Sequence, residues 1–171
     1  APGRITIDED NNIYVINKSK TTCFVFDKND TFIGSIGKGL PSLTGVAVSK
    51  DRVYLITPFG GRSVHVYDKK GNFIMAFEWI EGEGGTLGLP TNAMIDRGGL
   101  LWLVDSLRGI PVYKEDGIKL FQLGEYGAEK WQLFFPMDID FDKGNMVYIA
   151  SKGSKSISVF AIENQGRLYG K

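Results

Sequence analysis

Few residues of this 171-residue chain could act as nucleophile, base or phosphate ligand. It contains a single cysteine, Cys23, and a single histidine, His65. No serine lies in a Gly-x-Ser-x-Gly setting, and His65 would have to serve as the base alone, so no Ser-His-Asp set can be assembled. The glycine-rich stretch from Gly82 to Gly88 lacks the spacing and the lysine of a phosphate-binding loop. The sequence therefore predicts no catalytic constellation.

Asparagine and aspartate side chains are the candidate ligands for a metal ion. Asn92, Asp138 and Asp140 lie on segments that we place as inner strands around a central channel. Such oxygens suit Ca²⁺, whereas a lone histidine makes a poor transition-metal site. The alternative is ordinary hydrogen bonding around a channel that contains water. We expect no filled metal site and no cofactor.

Composition narrows the class of protein further. Hydrophobic residues make up 43% of the chain, enough for one domain with a sizeable core. Twenty basic and twenty acidic residues cancel, so no global field draws the protein to nucleic acid or anionic lipid. No apolar stretch approaches the length of a membrane helix. The 22 glycines recur between short apolar runs, which is typical of an all-β protein with many tight turns.

An internal repeat predicts the architecture of the chain. An aliphatic and aromatic run occurs four times, and a second run with valine in third place follows each about ten residues later. The first runs are Ile13–Ile16, Val53–Ile56, Leu101–Val104 and Val147–Ala150, and the second are Cys23–Phe26, Val64–Tyr67, Ile110–Tyr113 and Ile157–Phe160. Cys23 thus shares its repeat position with Val64, Ile110 and Ile157, so we expect a buried, unreactive thiol.

Each unit contains two further strands. A short strand preceded by a proline comes before each first run, and a fourth strand follows each second run. Asp-containing turns lie between the first and second strands. The sequence predicts four blades of four antiparallel strands, over about residues 2–37, 41–77, 90–124 and 136–170, within one domain spanning residues 1–171.

This order of proline, short strand, Asp turn, Ile-Tyr-Val run, variable loop and Ile-x-Val-Phe-Asp run resembles NHL repeats. The resemblance covers essentially the whole chain and is clearest over 13–27 and 53–71. It implies an all-β β-propeller. Propellers of that family usually close with six blades, so we expect further blades or a protein partner to cover the end blades.

The functional hypothesis is a non-catalytic protein-binding or assembly scaffold, and not an enzyme. Two alternatives are a metal-dependent lactonase or lyase-like propeller enzyme, and a single-stranded RNA-binding domain. The balanced charge argues against RNA. The resemblance further implies a bacterial, extracytoplasmic protein, periplasmic or secreted.

One propeller face is the candidate binding surface, because the loops after the second strands and those between blades should meet there. Cations hold matching places before the third strands, and aromatic residues lie between the blades. The candidates are Lys20, Arg62, Arg108, Lys155, Trp79, Tyr126, Trp131 and Phe134. Aromatic and arginine side chains are common in interaction hot spots. The alternative is that Trp79, Trp131 and Phe134 pack between blades.

Overall fold

The computed structural model describes residues 1–19, 21–79, 87–162 and 168–170. Over these residues the chain forms sixteen strands and no helix, so none of its described segments is a helix that could cross a membrane. The strands of the first blade are β1 (Pro2–Ile7), β2 (Ile13–Asn17), β3 (Thr22–Phe26) and β4 (Phe32–Ile36). Those of the second are β5 (Gly45–Val48), β6 (Arg52–Ile56), β7 (Arg62–Asp68) and β8 (Phe73–Trp79).

The third and fourth blades repeat this pattern. The third comprises β9 (Pro90–Ile95), β10 (Leu101–Asp105), β11 (Ile110–Tyr113) and β12 (Lys119–Leu123). The fourth comprises β13 (Pro136–Phe141), β14 (Met146–Ser151), β15 (Ser156–Ile162) and β16 (Leu168–Gly170). Each blade is an antiparallel meander in which every strand pairs with its sequence neighbours. The prediction of an all-β, four-bladed propeller is confirmed.

Aspartates in the hairpin turns hold the central aromatic of three blades in place. Asp8 accepts hydrogen bonds from the backbone N–H groups of Asp10 and Asn12 through Oδ1, and from the Tyr14 hydroxyl through Oδ2 at 3.2 Å. Trp102 donates to Asp96 at 2.8 Å in the same way, and Tyr148 donates to Asp142 at 3.0 Å. In each case the aspartate lies six residues before the ring, so one carboxylate fixes both the turn and the ring.

The second blade departs from this scheme. Its turn has Ser49 where the other blades have aspartate, and the turn is one residue shorter. The Tyr54 hydroxyl is buried and has no hydrogen-bonding partner among the described residues. In this blade no aspartate fixes both the turn and the ring.

Three apolar cores lie between successive blades. In each core, the face of one blade that carries the central aromatic packs against the opposite face of the next blade, which is mostly aliphatic and includes Tyr67, Tyr113 or Phe160 from the third strand. Tyr14 and Cys23 pack against Val46 and Leu55 in the first core. Trp102, fully buried, makes edge-to-face contacts with Phe121 and Phe141 in the third. We call these the aromatic face and the aliphatic face of a blade.

Cys23 is fully buried in the first core, as predicted from its repeat counterparts. Burial raises the pKa of its thiol to about 12. A thiol with so high a pKa carries almost no thiolate at neutral pH, which suits a structural role.

Candidate functional site

The four inner strands line a central channel of about 530 Å³. Its lining is mostly aliphatic, with a polar cluster of Arg4, Asn92 and Asp138. Arg4 Nη1 donates to Asp138 Oδ2 at 2.7 Å, and Asn92 Nδ2 donates to Asp138 Oδ1 at 2.8 Å. Arg4 Nη2 also donates to the carbonyl of Met137 at 2.9 Å. The cluster therefore joins the inner strands of the first and last blades.

The contacts of this cluster are those of ordinary hydrogen bonding and not those of a calcium site. Both carboxylate oxygens of Asp138 accept hydrogen bonds from N–H donors, and Asp140 Oδ1 accepts one from the backbone of Phe141 at 2.8 Å. Among the described residues, no three His, Cys, Asp or Glu side chains lie close enough to share a metal ion. As it stands, the arrangement can hydrogen-bond a polar ligand. A cation at Asp138 would first have to displace Arg4.

Sequence reasoning missed Arg4. The residue lies in a bulge of β1, where the pairing with β2 shifts between Pro2 and Ile5. Its partner Asp138 is 134 residues further along the chain. No local sequence pattern predicts contact between two such distant residues. The prediction that both segments are inner strands was the one signal that could have indicated it.

The most unusual surfaces of the propeller are the outward faces of the two end blades. The aromatic face of the last blade carries Ile157, whose repeat counterparts Cys23, Val64 and Ile110 are all fully buried. Ile157 itself is 67% exposed. Tyr148, on the same face, is 37% exposed, whereas Trp102 in the equivalent position is fully buried.

The first blade exposes its other face, the aliphatic face. Ile5 pairs with Val15, just as Val46 pairs with Leu55 in the second blade. Val46 is 3% exposed but Ile5 is 62% exposed. The same face carries Ile7, Ile13, Phe24 and Phe26, each exposed or half-buried. Positions that form the cores elsewhere in the chain are thus open at both ends.

The channel is continuous with both open faces. Its lining includes Ile5 and Ile7 from the first blade and Tyr148 and Ile157 from the last. A second cavity of about 320 Å³ lies against Ile157 and is lined also by Lys152 and Lys155. The two end faces therefore border a common opening between the first and last blades.

The loop between the third and fourth blades brings together some of the predicted binding residues. Tyr126 contacts Phe134 with ring centroids 5.5 Å apart, and Phe135 with centroids 5.3 Å apart. Leu133 N donates to the Glu125 carbonyl at 2.8 Å, and Leu133 is buried beneath the loop. Trp131 projects from this framework and is 67% exposed. Phe134 thus belongs to an aromatic cluster, and Trp131 does not pack between blades.

The other predicted binding residues are dispersed. Arg62 begins β7, where strand pairing places it opposite Trp79. Arg108 lies in the loop after β10, and its carbonyl accepts a hydrogen bond from Gln122. Lys155 is exposed in the loop between β14 and β15. Lys20 and the side chain of Trp79 lie outside the described part of the chain, so the ring of cations stays a prediction.

No family model matches the chain, and no curated protein matches it. Solved structures do resemble it. A chain of the nidogen/laminin complex matches with a TM-score of 0.79 and 18% identity, over 98% of this chain and 63% of that one. A gluconolactonase from Xanthomonas campestris matches with a TM-score of 0.72 and 16% identity, over 92% of this chain and 56% of the other. A streptogramin B lyase matches with a TM-score of 0.73 and 10% identity, over 98% and 53%.

The chain spans between about half and two thirds of the length of these proteins. At such identities the likeness shows the fold alone. The structures that share this fold include both enzymes and binding proteins. The relation of this chain to NHL repeats stays a resemblance.

The prediction that the chain is not an enzyme is wrong, because proteins named as a gluconolactonase and a lyase share its fold. That prediction relied on the absence of local catalytic motifs. A propeller builds a channel site from the inner strands of several blades, so the residues of such a site are separated by whole repeats. A missing local motif is therefore no argument against catalysis on this fold.

Proposed function

We propose that this chain is a protein-assembly module that binds its partner through the outward faces of its first and last blades. One observation carries the proposal: Ile157 and Ile5 are 67% and 62% exposed at repeat positions that are buried elsewhere in the chain. The NHL-like repeat supports it, since such blades pack on one another in series.

The physical argument concerns the free energy of exposed apolar surface. Fully burying one isoleucine side chain contributes about 1.5–3 kcal/mol. Each end face carries apolar side chains that are open to solvent, among them Ile5 and Ile7 on the first blade. Large contiguous apolar patches on soluble proteins generally mark interaction sites. Covering both faces would therefore supply most of the driving force for association.

Scattered apolar exposure does not explain the pattern. The chain also exposes Ile118, which is 56% accessible just before β12 of the third blade, away from the end faces. Single exposed residues of this kind are ordinary. Ile5 and Ile157 differ because each belongs to a whole sheet face of core-type residues.

The proposal is tested with three matched variants, Ile157→Asp, Ile5→Asp and Ile118→Asp. We expect the unmodified chain to associate with increasing concentration in sedimentation velocity and to bind an apolar dye. Ile157→Asp and Ile5→Asp should each weaken association and dye binding, and Ile118→Asp should leave both unchanged. A cooperatively folded monomer that binds no dye, or equal effects of all three variants, would contradict the proposal.

A further inference from the structure

We infer that the loop between the third and fourth blades binds a neutral glycan, with the indole ring of Trp131 stacked on one sugar ring. The sugar class is a β-linked chain of pyranoses with equatorial substituents. The site lies between two blades that the structure describes, and it goes beyond the end faces of the proposed function. Three observations carry the inference: the exposure of Trp131, the ordered turn that holds it, and the polar groups beside it.

Trp131 presents a large aromatic surface to solvent. Its side chain is 67% exposed, whereas that of Trp102 is fully buried. Tryptophan gains much from contact with other groups, because it combines a wide apolar ring with one N–H donor. Trp131 lines neither the central channel nor the cavity against Ile157. A ligand would therefore meet an open aromatic surface there and not an enclosed pocket.

Two hydrogen bonds close the turn that presents Trp131. The backbone N–H of Gln132 donates to the Glu129 carbonyl at 2.9 Å, and the backbone N–H of Glu129 donates to Gln132 Oε1 at 3.0 Å. Tyr126 and Phe134 belong to the aromatic cluster in the same loop, with their ring centroids 5.5 Å apart. Because this turn is already ordered, a ligand that binds on it loses little free energy to the ordering of the loop.

The groups beside Trp131 suit a sugar. A pyranose ring with equatorial substituents has C–H groups on its two faces and hydroxyl groups at its edge. The indole ring can cover one of these faces. Glu129 and Lys130 come directly before Trp131 in the same turn, and both are exposed. They supply a carboxylate acceptor and an ammonium donor for the hydroxyl groups of the sugar.

Two other classes of ligand fit this loop less well. Residues 124–135 include two acidic side chains and one basic side chain, so the loop does not attract the phosphate groups of a nucleic acid. The centre of a protein–protein interface is depleted of lysine and glutamate, whereas Glu129 and Lys130 adjoin Trp131. A neutral glycan matches both the single apolar ring and its polar neighbours.

The test titrates the full chain with cellohexaose and with chitohexaose, which are both neutral and β-linked. The indole N–H signals of the tryptophans in nuclear magnetic resonance report binding, and the Trp131→Tyr variant assigns the signal of Trp131. We expect that signal to shift and the signal of the buried Trp102 to stay in place. The dissociation constant should be about 1 mM, the affinity that contact with one or two sugar rings allows.

Three variants, followed by calorimetry with the same two sugars, locate the site. Trp131→Ala should weaken binding at least tenfold, since it removes the stacking surface. Trp131→Tyr keeps an aromatic ring and should bind within about threefold of the unmodified chain. Phe73→Ala is the matched control, because Phe73 is 59% exposed at the start of β8, outside the loop. This variant should bind as the unmodified chain does.

Several results would overturn the inference. They are the absence of binding to either sugar, unchanged binding by Trp131→Ala, and equal weakening by Trp131→Ala and Phe73→Ala. A larger shift of the Trp131 signal with oligodeoxythymidine than with either sugar would assign the ring to nucleic acid and would also overturn it. Ile157→Asp should bind the sugars normally, so this inference and the proposed function can fail separately.

Discussion

One repeat position can be compared in two environments. The central aromatic is replaced first in the third blade and then in the fourth. Trp102 is fully buried, contacts Phe121 and Phe141 with centroids 5.6 and 5.3 Å away, and donates a 2.8 Å hydrogen bond to Asp96. Truncating a buried Trp costs about 3–5 kcal/mol. We expect Trp102→Ala to lower the free energy of unfolding by about 4–5 kcal/mol, at the upper end of this range, because the hydrogen bond and both ring contacts are lost together.

Tyr148 holds the equivalent place but faces the uncovered side of the last blade. It is 37% exposed, and its hydroxyl donates to the half-buried Asp142 at 3.0 Å. Tyr148→Ala should cost only about 1 kcal/mol, since less packing is lost and no closed cavity forms. Trp102→Phe removes the hydrogen bond and part of the ring, and it should cost less than Trp102→Ala, about 2–3 kcal/mol.

The assay is equilibrium unfolding in guanidinium chloride at equal protein concentration, with the slope checked for constancy among variants. The reasoning is refuted if Trp102→Ala costs less than about 1 kcal/mol, since the blade packing would then be wrong. It is equally refuted if Tyr148→Ala costs as much as Trp102→Ala, because the outward face of the last blade would then be covered.

Three further predictions follow from the cores and turns. Cys23, with its pKa raised to about 12 by burial, should resist a thiol reagent at pH 8 until denaturant unfolds the chain, and rapid native labelling would contradict the first core. Burial alone would raise the pKa of Asp8, but hydrogen bonds from Lys69 and Asn12 outweigh it and hold the pKa at about 2, below its usual 3.8. The Asp8 carboxylate therefore contributes about 2 kcal/mol of stability above pH 4, and this contribution is lost as the pH falls toward 2. Lys69→Met should make that loss of stability smaller in acid titrations monitored by circular dichroism. Gly153→Ala should cost about 1–3 kcal/mol by thermal unfolding, because the new Cβ would lie 2.5 Å from the Phe134 ring. Gly34→Ala is the control and should cost less, because a Cβ at that position would meet nothing within 4 Å.

Much of the fold could be predicted because each blade repeats its own sequence pattern. The run around Tyr14 recurs around Tyr54, Trp102 and Tyr148, so four weak strand signals support one another. The burial of Cys23 followed from the same alignment. Comparison among repeats takes the place of the tertiary information that a single strand lacks.

The site was less predictable for two physical reasons. Arg4 and Asp138 meet only because the blades curve around a channel, and curvature leaves no mark on local sequence. The aspartate pairs of Tyr14, Trp102 and Tyr148 were missed although their constant spacing of six residues was visible. The position of Trp131 depended on how its loop folds, which neither periodicity nor composition determines.

The unlike chemistry of the two end faces has a consequence for the chain when it is alone. Because an aromatic face fits an aliphatic one, copies of the chain would add head to tail, and such contacts do not close when the rotation between copies is not a simple fraction of a turn. The product would be an open filament whose length grows with concentration. A partner bound to either end face would block the next addition and so limit the length of such a filament.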